Sequence, residues 1–432
     1  MKDIDNTIRL INNDILYAAS VDESGELNGA VYAVDREFFL KTGILYGSRY
    51  RTYVMPNSRS ADIDYENDLK RAEKILRNKF MKNKDMVKIG SKMISKHHPC
   101  FIIAEAGVNH QGSLTMAKQM IDAAANAGAD AIKFQTFNPD EGTSKFAEKV
   151  AYQKSVTEST ENQYSMLKKL QLSESDFKEL KKHCYRKKII FLSTASDKSS
   201  VDIVTRLNVS AYKVASPDIT NIPLLKYIAK MNKPIILSTG CASMMEISDA
   251  VEAIMDSGNN KIVLLQCVSK YPMNAKEANI KVMGTLHDSF NTLVGYSDHS
   301  IGIEVPLAAV MKGASIIEKH FTLNKKLPGP DHKVSLNPKE LKQLVRSIRI
   351  AEEAIGNGIK KPLKDESEVA KQCRKSIVVL KDTCKGTKIT KEIIGIKKPC
   401  NGILPKNLDN IMGRILNKDL PADKAINWGD LD

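Results

Sequence analysis

Between residues 101 and 319 the chain repeats one pattern eight times: a short, β-rich apolar run followed by a stretch with helical periodicity. The runs fall around 101–105, 130–135, 188–193, 210–215, 234–238, 261–266, 293–296 and 315–319. The helical stretches include SLTMAKQMIDAAANAGA, DFKELKKHCYRKK, NIPLLKYIAKM and PKELKQLVRSIRIAEEAIG. This alternation is the signature of parallel βαβ units. Eight of them over about 250 residues match the size of a closed (β/α)8 TIM barrel. A doubly wound open sheet is the runner-up. No G-x-G-x-x-G follows the first run, so a dinucleotide-binding fold has little support.

At 432 residues the chain is too long for one ordinary domain. Five regions are expected: a mixed segment over 1–84, a basic linker over 85–98, the barrel over 99–355, a linker over 356–369 and a small β-rich domain over 370–432. The last begins RKSIVVLKDTCKGTKITKEIIGIKKPCNGILP, with short strands, glycines and prolines. No apolar run approaches the ~18–20 residues of a membrane helix. The opening MKDIDNTIRLINND lacks the apolar core of a secretory signal. A cytoplasmic protein without a membrane partner is the expectation. Seven scattered cysteines with no C-x-x-C pair indicate neither a zinc ribbon nor a disulfide framework, and are read as reduced, mostly buried thiols. The net charge of +14 is partly local, with ten Lys or Arg from Lys70 to Lys96 against Glu73 and Asp85. Without interleaved aromatic residues this is a solvated helix end and linker, and no nucleic-acid partner is expected. An anionic small substrate remains compatible with the charge.

Chemistry in such a barrel sits at the C-terminal ends of the strands. The eight runs end, in order, on Glu105 with Asn109 and His110; Lys133 and Gln135; Ser193 and Thr194; and Lys213, Ser216 and Asp218. The others end on Ser238 and Thr239; Gln266 and Ser269; Ser297, Asp298 and His299; and Glu318 and His320. Every strand thus delivers polar groups to one rim. His299 and His320 end neighbouring strands, and two imidazoles so placed suit either a divalent metal or a buried, hydrogen-bonded pair. Lys133 and Lys213, with Thr194, Ser216 and Ser238, fit a phosphate cradle. Either lysine also fits a Schiff-base nucleophile, and spacing does not separate the two readings.

The segments FIIAEAGVNHQGS, GADAIKFQTF, AYKVASPDITNIPLL, KPIILSTG, LLQCVSKYP, GYSDHS, EKHFTL and PGPDHKVSL follow one another in the order seen in sialic acid synthases. The resemblance, to the N-acetylneuraminate and legionaminate members, spans 99–355 and continues into the C-terminal region, which looks like their antifreeze-like (SAF) domain. It implies a TIM barrel followed by a SAF domain, in a domain-swapped homodimer. It implies condensation of phosphoenolpyruvate with an N-acetylated amino sugar, N-acetylmannosamine or a relative, with phosphate lost by C–O cleavage. By the same resemblance His299 and His320 hold Mn²⁺, with Mg²⁺ or Co²⁺ as alternatives, and Glu105 orients or deprotonates the attacking water. Lys133, Thr194, Lys213, Ser216, Ser238, Ser269 and Ser297 grip phosphoenolpyruvate; Gln135, Asp218, Tyr271 and Asp331 fall where the acceptor sugar is contacted.

Three positions depart from the family pattern. Asp218 stands where some members carry glutamate, Val268 replaces a threonine, and Lys398 stands where the small domain normally sends an arginine to the partner's active site. Lysine keeps the charge and loses the bidentate fork.

NGAVYAVDREFFL, LYGSRYRTYVMP and RSADIDYENDLKRAEKIL, in the first 80 or so residues, resemble the C-terminal part of a CMP-sialic acid synthetase, with Asp62 and Asp64 as its metal-binding aspartates. The nucleotide-binding half of that family is missing, so an incomplete nucleotidyltransferase-like segment without activity of its own is expected. Two rivals to the synthase stand: a Schiff-base pyruvate aldolase using Lys133 or Lys213, and a non-catalytic assembly protein.

Overall fold

The computed structural model describes residues 17–21, 27–34, 40–41, 50–54, 85–154 and 161–432. It divides into two compact units, 1–354 and 355–432. In the N-terminal region β1 (Tyr17–Val21) lies between an antiparallel β2 (Leu27–Val34) and a parallel β3 (Tyr50–Val54). Asp62 and Asp64, and most of the segments that resemble the synthetase, lie outside the described residues.

Within the stretch read as a basic linker stands a hairpin, β4 (Val87–Ile89) and β5 (Lys92–Ile94). Gly90, at φ +60°, makes the turn that an L side chain adopts only with strain. Charge counting hid it; the apolar residues flanking Gly90–Ser91 were the signal.

Eight parallel strands then close into a barrel: β6 (Phe101–Gly107), β7 (Ala131–Thr136), β8 (Ile190–Ala195), β9 (Tyr212–Val214), β10 (Ile235–Ser238), β11 (Ile262–Cys267), β12 (Leu293–Asp298) and β13 (Ile316–His320). β13 pairs with β6 to complete the ring, so the closed barrel, and not the open sheet, is the fold. The eight helices that follow are α1 (Leu114–Ala127), α2 (Glu174–Arg186), α3 (Lys198–Arg206), α4 (Ile222–Ala229), α5 (Met244–Asp256), α6 (Val282–Phe290), α7 (Glu304–Met311) and α8 (Pro338–Ile355). Two helix starts are capped by their own sequence: Ser173–Asp176 and Ser243–Glu246 form reciprocal capping boxes.

Strand parity places the site. Successive side chains of a strand point to opposite faces. Phe101, Ile103, Ala131, Leu192, Ala211, Ile236, Val263, Leu265, Leu293 and Ile316 form one apolar cluster in the barrel, which Val87, Ile89 and Ile94 of the hairpin join. Their strand neighbours, such as Ile102, Ile132 and Ile317, pack instead with the helices. Counting on by two from the inner cluster reaches Glu105, Lys133, Thr194, Lys213, Ser238, Cys267, Ser297 and then Glu318 and His320. The interior is therefore apolar below and polar at the mouth.

The C-terminal unit has its own core of Ile377, Val379, Ile389, Ile403, Ile411, Leu416 and Ile426 around an antiparallel pair, β14 (Ser376–Val379) and β15 (Ile394–Lys397). The expectation of mostly buried thiols is corrected: Cys100, Cys184 and Cys267 are buried, Cys400 is half-buried, and Cys241, Cys373 and Cys384 are exposed. Cys241 and Cys384 fall in loops and Cys373 ends a solvent-exposed helix, Lys364–Cys373, none of which sequence composition reveals. No described helix is long and apolar enough to cross a membrane.

Candidate active site

Four charged side chains interleave at the barrel mouth. Lys133 Nζ lies 2.9 Å from Glu105 Oε2 and 3.7 Å from Glu318 Oε2. Lys213 Nζ lies 3.7 Å from Glu318 Oε1. All four are nearly inaccessible to solvent. Hydroxyls fill the remaining directions: Lys133 donates to Thr194 Oγ1 at 2.7 Å and Lys213 to Ser238 Oγ at 2.7 Å. Ser297 Oγ donates to Glu318 Oε1 at 3.0 Å, and Gln135 Nε2 to Glu105 Oε1 at 3.1 Å.

Burial and pairing push these groups apart. Desolvation raises the Glu105 carboxyl above the usual range, although Lys133 opposes it. Glu318 suffers the same burial, yet Lys133 and Lys213 together hold its carboxyl down. Burial lowers the Lys213 ammonium against the pull of Glu318, whereas Glu105 and Glu318 outweigh burial at Lys133 and raise it. Desolvation also lifts the half-buried Asp218 carboxyl to about 6, with Asp197 adding to the rise and Lys213 opposing it.

A second feature lies beside the lysines. Gly240 N–H donates to Ser216 Oγ at 2.9 Å. A Cβ at residue 240 would meet Ser269 Oγ at 2.4 Å and Ser216 Oγ at 2.8 Å, so only glycine lets this backbone approach the two hydroxyls. Ser269 itself is exposed.

His299 and His320 stand with ring centroids 5.5 Å apart, and the Tyr271 ring is 4.0 Å from the first and 5.7 Å from the second. His299 Nδ1 lies 2.7 Å from the Val268 carbonyl oxygen. A carbonyl only accepts, so Nδ1 carries the proton and Nε2 keeps its lone pair. His320 Nδ1 is buried without a hydrogen-bond partner. Burial keeps both rings neutral, lowering His299 and holding His320 well below the ordinary imidazole value. Neutral, oriented imidazoles with an unsatisfied nitrogen fit a divalent transition metal. Among the described residues no group of three His, Cys, Asp or Glu forms such a site, so water and substrate oxygens would fill the remaining positions.

The segment after β13 brings in Asp331. A Cβ on Gly107 would lie 3.3 Å from Glu105 Oε1, 3.3 Å from Gln135 Nε2 and 3.8 Å from Asp331 Oδ2, so the three side chains converge there. The segment is tied down by Asn109 Nδ2, which donates to Phe321 O and Ser335 Oγ at 2.9 Å each, and by a 2.7 Å bond between His332 Nδ1 and Thr322 Oγ1.

Fourteen of the fifteen residues to which the synthase resemblance gave a role thus lie in the barrel unit, and Lys398 lies exposed on the small unit. Glu318, placed at the rim by sequence but given no role, is the central anion. The clue was its spacing of two from His320 on one strand face. Gly240 was missed because the need for glycine arises from a cross-strand approach.

Four buried neutral histidines make acid a denaturant. Burial lowers His110 and His332 from 6.5 to about 4, and lowers His299 and His320 as well. Below pH 6.5 the unfolded chain takes up protons that the native one refuses, so stability falls as pH drops from 6.5 towards 4. His110 alone contributes about 3 kcal/mol of this loss. Urea denaturation at pH 7.5 and 5 checks it; equal midpoints would contradict the burial of these rings.

Comparison with known proteins bears on the family and the fold. Residues 120–360 match the NeuB family and residues 374–432 the SAF domain. An N,N'-diacetyllegionaminic acid synthase of Legionella pneumophila is 44% identical over 77% of this chain and 95% of its own. The enzyme of the same name from Campylobacter jejuni is 45% identical over 75% of this chain and 98% of its own. The crystal structure of an N-acetylneuraminic acid (sialic acid) synthetase from Leptospira borgpetersenii in complex with citrate is 38% identical and superposes with a TM-score of 0.58, covering 66% of this chain and 94% of that one. With the closed barrel, its polar mouth and a SAF domain all in one chain, this protein belongs to the NeuB family.

Proposed function

We propose that the barrel condenses phosphoenolpyruvate with an N-acetylated amino-sugar aldehyde, forming a nonulosonic (sialic) acid and releasing phosphate by C–O cleavage. The carrying observation is the pair of buried lysines that flank Glu318 at 3.7 Å each inside a ring of hydroxyls. Two cations in a dry site suit an anionic phosphate ester, with Ser216, Ser238, Ser269, Ser297 and Thr194 as its hydroxyl partners. Lys133 and Lys213 hold the phosphoryl group and the carboxylate while the enol carbon attacks the aldehyde. Glu105, its basicity raised by burial, orients or deprotonates the water that traps the cationic carbon. Gln135, Asp218, Tyr271 and Asp331 fit the acceptor sugar. His299 and His320 would hold Mn²⁺, with Mg²⁺ or Co²⁺ as substitutes; when bound, the ion supplies Lewis acidity for the aldehyde oxygen. The reading extends to a cytoplasmic homodimer in which Lys398 serves the partner's site.

The acceptor we propose is the 2,4-diacetamido-6-deoxy relative of N-acetylmannosamine, because the two relatives named N,N'-diacetyllegionaminic acid synthase reach 44% and 45% identity. Phosphate release from phosphoenolpyruvate, measured with each sugar in parallel, with and without EDTA, tests this. EDTA-sensitive release, faster with the diacetamido sugar, is expected. Release with neither sugar after manganese is restored would overturn the proposal. One observation favours an aldolase instead: the ammonium of Lys213, lowered by burial, is what a Schiff base needs. Borohydride trapping of pyruvate on Lys213, insensitive to EDTA, would be its mark.

A further inference from the structure

On the outer face of the barrel wall, between strands and helices, lies an ion pair that the condensation does not use. Lys319 and Asp298 pair with side chains fully shielded from solvent. The Lys319 ammonium bonds both Asp298 Oδ2 and the Ser300 carbonyl. Asp298 in turn accepts from Ser300 N at 3.1 Å and Ser300 Oγ at 2.8 Å. His299 sits between these two residues, and His320 directly follows Lys319.

The backbone alone does not fix the two imidazoles against each other. The β12–β13 pairing ends at Asp298 and Lys319. Beyond it His320 is in register with Glu105 of β6, while the His299 carbonyl accepts from Met273 N at 3.0 Å. The two histidines are thus held by different neighbours. One ammonium bridges the gap, gripping the residues on both sides of His299 from the position next to His320. Apolar side chains of similar volume in this layer would serve stability as well or better. Stability therefore does not account for the pair, and position does.

We propose that the Asp298–Lys319 pair is a positioning device that sets the separation of His299 and His320 and thereby the affinity for the divalent ion. The inference rests on the metal reading above. Its test is Mn²⁺ binding to the full chain, followed by electron paramagnetic resonance without substrate, in the wild type and in the double variant Asp298→Asn with Lys319→Met. Lys319→Met alone would leave a buried lone carboxylate and unfold the chain for an unrelated reason; the double variant removes both charges. The expected result is a folded double variant, with a melting temperature at or above that of the wild type, that binds Mn²⁺ 10- to 100-fold more weakly, on the order of the cost of losing groups behind a metal ligand. Hydrogen exchange in the metal-free chain gives an independent reading, with faster exchange over 298–301 in the variant. A folded double variant with wild-type Mn²⁺ affinity overturns the clamp and leaves the metal site standing. A double variant that does not fold makes the pair a stability element and overturns it too. A wild type that binds no Mn²⁺ removes the metal reading, and the clamp with it.

Discussion

Lys133→Met is expected to lower kcat for phosphate release by about 10²–10³-fold, the scale of losing one preorganised charge-stabilising donor in a dry site. The same change is expected to cost about 3–5 kcal/mol of stability, the scale for breaking a buried ion pair from one side. Both follow from one geometry. Lys133 lies 2.9 Å from Glu105 and 3.7 Å from Glu318, and all three are nearly inaccessible to solvent. Without the ammonium, Glu105 loses the one strong opponent of its desolvation, and its carboxyl rises further. A raised carboxyl favours folding when protonated, so the penalty in the variant shrinks as pH falls below neutrality and grows as pH rises. Urea titrations at pH 7.5 and 5.5, each compared with the wild type at that pH, read the trend. A variant of wild-type stability and turnover would mean that Lys133 neither compensates Glu105 nor touches substrate.

His299→Ala and His320→Ala are each expected to reduce metal-dependent turnover by about 10³-fold or more while leaving the chain folded. Lewis-acid stabilisation is worth several kcal/mol, and each 1.36 kcal/mol is a factor of about ten. Neither ring supports the fold as an ion, because burial keeps both neutral, and His320 Nδ1 makes no hydrogen bond that its removal would break. Loss of activity with an unchanged far-ultraviolet circular dichroism spectrum is the expected outcome, and added Mn²⁺ should not restore it. Wild-type, EDTA-sensitive turnover in either variant would exclude the pair as the metal's ligands.

Much of the site was legible because a barrel turns sequence into position. A polar residue that ends an apolar run in step with its inward face reaches the same rim, which sufficed to nominate Glu105, Lys133, Lys213, His299 and His320; Asp298, read from sequence as a rim residue, turns instead to the outer face and pairs with Lys319. Their partners were less legible. That Glu318 lies between two lysines depends on β13 standing opposite β9 in the ring with β7 midway between them, and hydropathy along a strand carries no such information. Gly240 shows the same limit, since its missing side chain matters only where Ser216 and Ser269 approach it. The Gly90 hairpin was hidden for another reason: high local charge masked a short apolar alternation.

The sequence by itself determined the eightfold strand–helix alternation, the small β-rich domain behind it, and which residue types crown the strands. These are properties of local periodicity, and the 2.0 and 3.6 residue repeats are written in the chain. Only the tertiary structure decided that the sheet closes, that Asp298 and Lys319 meet behind the histidines, and in which direction burial and pairing shift the groups of the mouth. Those outcomes depend on contacts between distant residues and on exclusion of water, and desolvation exists only once the surrounding atoms are in place.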